Sequence, residues 1–135
     1  MIGQSLQGLP AFASYLAVAA GLCALYLFVY TRVTPHREFD LIVGEQNASA
    51  ALALGMSLVG FAIPLASAIA HSASLADCAI WGAVALVVQL AAYGLARLAH
   101  PRISEAIAAN SLAAALWVGF VSLTAGVLSA AAMSY

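Results

Sequence analysis

The chain has 135 residues, 65% of them hydrophobic and 7% charged, and its mean hydropathy is +1.05; a soluble domain carries about 25% charged residues, so a soluble fold is excluded. A formal net charge of −1 with only four Arg and Lys residues leaves no basic face for a nucleic-acid partner. The solvent for such a chain is the lipid bilayer.

Four uncharged stretches each reach the roughly 20 residues that cross a hydrocarbon core of about 30 Å. The first is residues 11–30, AFASYLAVAAGLCALYLFVY. Residues 1–10 lack the positive segment of a cleaved signal peptide, so this span is expected to stay in the mature chain. Tyr26, Phe28 and Tyr30 gather at its end, where aromatic rings anchor a helix in the membrane interface. Cys23 falls well inside the span and Cys78 at the outer edge of the third. An intrachain disulfide is therefore not expected, and neither thiol has a neighbouring base to make it a nucleophile.

The next segment, TRVTPHREFDLIVGEQN over residues 31–47, holds five of the nine charged residues: Arg32, Arg37, Glu38, Asp40 and Glu45. Pro35 is placed to open a short helix. Phe39, Ile42 and Val43 then share one face, which predicts a piece lying on the membrane surface. Asn47 stands where an N-cap would serve the free N–H groups of the following helix.

The second span, residues 48–70, carries Ala51 and Gly55 at a spacing of four and a proline, Pro64, four residues after Gly60. Proline removes the hydrogen bond to that carbonyl and predicts a kink, read here as a packing feature ahead of a gate. His71 and Asp77 share the short loop that follows. The third span, residues 78–96, places Gln89 near its middle on a stripe with Trp81, Ala85 and Tyr93. Gln89 is read as an interhelical hydrogen-bonding residue ahead of a pore-lining one.

Arg97, Arg102 and Glu105 fill the connector between the third and fourth spans. Pro101 repeats the role of Pro35, and Ile103, Ala106 and Ile107 repeat the apolar stripe. Asn110 is expected to cap the fourth span, residues 111–133. Within it Ala115 and Gly119, and Ser122 and Gly126, again lie four apart, a spacing that lets helix backbones approach closely. His36 and His100 sit in similar places in the two connectors. Neither they nor His71 with Asp77 form the three or four closely spaced ligands a metal site needs, so no metal site is read.

All four arginines fall in the two connectors. Under the positive-inside rule those connectors are cytoplasmic, with both termini and the 71–77 loop outside. The connectors also match each other: Arg32 and Arg97, Arg37 and Arg102, Asp40 and Glu105, and Ile42 and Ile107 are each 65 residues apart. Removing two residues then aligns Asn47 with Asn110. Continuous apolar runs read as helices and not barrel strands. The fold class is therefore all-α, a polytopic membrane protein in which four transmembrane helices form two parallel two-helix repeats. One membrane domain covers residues 1–135, with repeat one over about 11–70 and repeat two over about 78–133. Because a two-helix unit returns the chain to its starting side, the repeats should be related by an axis along the membrane normal.

The runs GFAIPLASAI and WGAVALVVQL, with the Asn-led, Ala-rich starts of the second and fourth spans, resemble the YjfL-type family of bacterial inner-membrane proteins, domain of unknown function 350. The resemblance covers nearly all of the chain after residue 10. It implies the four-helix fold and the bacterial inner membrane, and it brings no catalytic, cofactor-binding or metal-ligating residues.

No activated nucleophile is visible, and no ionisable residue lies within a span, which argues against ion-coupled transport. The expectation is a non-enzyme without cofactors. It is a structural or regulatory membrane subunit, homo-oligomeric through the small-residue faces of Gly55, Gly119 and Gly126. Its connector residues Arg32, Arg37, Arg97 and Arg102, framed by Asn47 and Asn110, would recruit a cytoplasmic protein partner or meet membrane lipids. The alternative is a small passive channel or facilitator whose path lies between protomers and involves Gln89 and Pro64.

Overall fold

The computed structural model describes residues 2–34 and 39–133. Among them α1 covers Ile2–Gln7 and α2 Leu9–Val33. A π-helical turn at Asp40–Gly44 precedes α3, Ala48–His71; then come α4, Leu75–Ala99, α5, Ile103–Ala108, and α6, Leu112–Ala132. The fold is all-α. Four of its helical segments, those ending at Val33, His71, Ala99 and Ala132, are long and apolar enough to cross a membrane.

The helix ends follow from local chemistry. α2 runs one turn beyond the predicted span and stops at Thr34, whose extended backbone (φ −80°, ψ 131°) is the conformation favoured before a proline. α4 begins three residues earlier than predicted. Ser74 caps it by accepting from the Asp77 N–H at 3.1 Å, while the Asp77 carboxylate accepts from the Ala73 N–H at 3.1 Å. The pair is a variant of the capping box in which the carboxylate reaches one residue further back, to the N–H before the cap, and it draws Asp77 into the first helical turn.

α3 and α6 form the most extensive helix pair; α4 packs against both, and α2 lies against α3 and α4. The core is built from small residues where helices touch, including Ala50, Ala53, Ala85, Ala114 and Ala115, and from an aromatic group toward the connector end. Tyr26 and Tyr30, expected as interfacial anchors, are both buried, as is Tyr93 of the Gln89 stripe. The Tyr26 ring meets Phe61 edge-on at 4.8 Å and Tyr30 meets Tyr93 at 5.7 Å. Offset and edge-on aromatic packing contributes beyond area burial, which favours the inward position. Of that group Phe28 alone faces outward, with the Arg32 guanidinium 4.8 Å from its ring centre.

The connectors differ from the two surface helices expected. Pro35 and Arg37 lie outside the described residues. In the first connector Phe39 and Val43 do face outward, but the turn is π-helical and its buried residue is Leu41. In the second, Ile103 and Ile107 are fully buried because α5 turns its apolar stripe onto α3 and α6 and not outward.

Candidate functional site

The described side chains converge in two places: a polar junction inside the bundle and a clamp between the connectors. At the junction, Pro64 sits fully buried within α3 and supplies no N–H to the Gly60 carbonyl. Gln89, itself fully buried on α4, donates its Nε2–H to that same carbonyl at 3.1 Å. The third helix of the junction is α6. A Cβ added to Gly60 would stand 2.5 Å from the Ser122 backbone oxygen, and one added to Gly126 would overlap the Gly60 carbonyl. One carbonyl therefore joins three helices, served by a side-chain amide where the helix's own donor is missing.

Next to this junction Ser122 donates its hydroxyl to Ser57 at 3.3 Å, and the Tyr26 hydroxyl lies beside the Ser57 side chain. The sequence marks Ser122 only as a small residue four before Gly126, and it does not mark Ser57. Their separation of 65 residues, the same as that of Arg32 and Arg97, was the signal that could have found them. Gln89 and Pro64, considered separately as polar and kinking residues, form one unit.

The clamp begins with Asn47. It caps α3 as expected, its Oδ1 accepting from the Ala50 N–H at 2.9 Å, and its Nδ2 donates to the Ile107 and Ala108 carbonyls, both at 3.1 Å. Asn110 does not cap the helix it precedes. Ser111 is the N-cap of α6, accepting from the Ala114 N–H at 3.4 Å. Asn110 instead reaches across to the other connector, its Oδ1 accepting from the Ser49 N–H at 3.1 Å. Two asparagines thus tie the start of α3 to the end of α5, each crossing between connectors.

Backbone geometry explains why matching Asn47 to Asn110 failed. Gln46 and Asn110 both hold left-handed backbones, φ 51° and 65°, so Asn47 corresponds to Ser111 and the capping registers differ by 64. The Asn47 N–H reaches back to the Leu41 carbonyl at 2.7 Å, and the Ser111 N–H to that of Ala106 at 2.9 Å. The first connector therefore closes over one residue more than the second, and not two. A π-helical turn is the usual way a helix accommodates one extra residue.

The small-residue faces divide. A Cβ at Gly119 would meet the flexible Met56 side chain at 2.5 Å. Gly119 and Gly126 thus pack within the chain and do not present a face to a second copy, because α6 uses them to approach α3. Gly55 has nothing within 4 Å of an added Cβ, and Ala51 beside it is exposed. Trp117, also missed from the sequence, donates its indole N–H to the Ala96 carbonyl at 3.0 Å and joins α6 to the end of α4.

Arg97, Arg102 and Arg32 are all exposed, Arg32 lying over the outward Phe28 ring. Glu105 and Glu45 are also exposed, so the described part of this surface carries both signs of charge. Between α4 and α6 an outward apolar groove holds two hollows of about 340 and 410 Å³, which share Ala125 and Leu128. Among the described residues no three His, Cys, Asp or Glu side chains come together.

A family model described as Domain of Unknown Function (DUF350) matches residues 4–133. The chain is 37% identical over 130 residues to the UPF0719 inner membrane protein YjfL of Escherichia coli strain K12, an alignment covering 96% of this chain and 98% of the relative. The protein of the same name from Escherichia coli O157:H7 is similar to the same degree. No solved structure matches.

Proposed function

The chain belongs to the family of the Domain of Unknown Function DUF350, and from that premise we propose that it is a non-catalytic structural or regulatory subunit of the bacterial inner membrane. It acts as a homo-oligomer and recruits a cytoplasmic protein through its two connectors. The relative's description as an inner membrane protein supports the location. The arginines of the connectors support an orientation with both termini in the periplasm.

The observation that carries this reading is the clamp. Asn47 and Asn110 cross between the connectors and join them into one surface on which Val43, 76% exposed, Arg97 and Arg102 stand outward. Two separate loops would need no such bonds. A passive passage is less well supported, because the mid-membrane polar groups Gln89, Ser57 and Ser122 face other helices and bond to them. Lipid offers no hydrophobic drive between helices, so the unoccupied small face of Ala51 and Gly55 suits close approach by a second copy.

The test is photo-crosslinking in intact cells from positions 43 and 102. Specific crosslinks to one protein, reduced several-fold by Asn47→Leu at unchanged expression, are the expected result. Absence of any protein crosslink, or yields indifferent to Asn47→Leu, would remove the recruitment reading. Ion or solute flux in liposomes above that of empty vesicles would replace it with a passage.

A further inference from the structure

We propose that α3 carries a hinge at Gly60–Pro64 and that Gln89, reaching over from α4, is the latch that holds it. In an uninterrupted helix the Gly60 carbonyl would accept from residue 64, but proline has no N–H and its ring crowds that carbonyl. Within a bilayer no water is at hand to take the place of the missing donor. The carbonyl is served by the Gln89 amide at 3.1 Å. Glycine on one side of the interruption adds no side chain to stiffen it, and proline is the commonest cause of a sharp helix bend.

The two parts of α3 are held unequally. The inner part is fixed at its start by Asn47 and Asn110, and in its middle by the Ser57–Ser122 bond and the backbone contact of Gly60 with Ser122. Beyond Pro64, the side-chain bond from α3 to another helix is that of Ser67 to the Ala130 carbonyl, at 3.3 Å. The Gln89 Oε1 is buried and finds no hydrogen-bond partner among the described residues. The latch is therefore one bond and not a network, so it opens without breaking a second. When it opens, the outer segment of α3 swings together with the outer end of α6, to which Ser67 ties it.

The discriminating feature is the dependence of Gln89 on Pro64. Hydrogen exchange in nanodiscs is compared for Gln89→Met in the natural chain and in Pro64→Ala, where alanine restores the N–H. In the natural chain the substitution should speed exchange over residues 65–71 by about 3- to 15-fold, the range expected of interhelical hydrogen bonds in membranes, and leave residues 50–59 unchanged. In Pro64→Ala the same substitution should change exchange by less than about twofold, because the helix then satisfies its own carbonyl. Equal effects in both backgrounds, or none in either, overturn the latch. If Gln89→Met alone does not fold, folding of the double variant supports the proposal, and failure of both variants overturns it.

Discussion

Gly126 of α6 lies against the carbonyl oxygen of Gly60 in α3, with no room between them for a methyl group. The obstruction is backbone on both sides, so neither partner can turn away. Gly126→Ala should cost about 1–3 kcal/mol of overpacking or force the helices apart. Gly119→Ala, which meets the Met56 side chain from its sulfur back to its Cβ but no backbone, should cost less, and Gly55→Ala, facing open space, should be close to neutral. Reversible unfolding in mixed micelles gives the ranking; a Gly55 variant as damaging as Gly126→Ala would contradict this packing.

The same contrast separates folding from assembly. Gly55→Leu should leave the monomer's unfolding midpoint unchanged and lower the mass of the particle in native nanodiscs. If the parent protein is monomeric in nanodiscs, or Gly55→Leu keeps an oligomeric mass, the Ala51–Gly55 face is not the interface.

At the clamp, Asn47→Ala removes a cap and leaves the Ile107 and Ala108 carbonyls without their side-chain donor. A loss of about 1–3 kcal/mol is expected. The two left-handed residues should respond in opposite directions to glycine. Gln46→Gly relieves a strained backbone and should stabilise by about 0.5 kcal/mol. Asn110→Gly relieves less and deletes the acceptor for Ser49, so it should destabilise. Unfolding of both variants under one condition decides the point, and matching signs would show that the bond to Ser49 contributes little.

Topology is testable without purification. Reporter fusions after residues 8, 74 and 133 should report the periplasm, and fusions after residues 45 and 104 the cytoplasm. A cytoplasmic reading after residue 133 would invert the orientation and place the clamp outside.

The spans were legible because composition alone separates lipid-soluble helices from charged connectors. Which side of each helix faces inward was not. Tyr26 and Tyr93 have the same hydropathy on either face, and only the three-dimensional meeting with Phe61 and Tyr30 sends them inside. Small residues four apart marked close approach at Gly55 and Gly126 alike, yet the spacing does not name the neighbour, and only Gly126 found one. Asn47 was read correctly because capping is local. Asn110 was misread because its partner, Ser49, is 61 residues away and nothing nearby in sequence announces it.

That last bond also orders events during synthesis. The Ser49 N–H at the start of α3 receives its partner only after Asn110 has left the ribosome, 61 residues later. At about 5–20 residues per second that is an interval of several seconds. During it the first helical hairpin sits in the membrane with one end still met by interfacial water. The nascent protein thus passes through a half-assembled stage whose connector rim is looser than in the finished molecule, and it closes only when the second hairpin arrives. A chain truncated before residue 110 would keep that open rim for its whole lifetime.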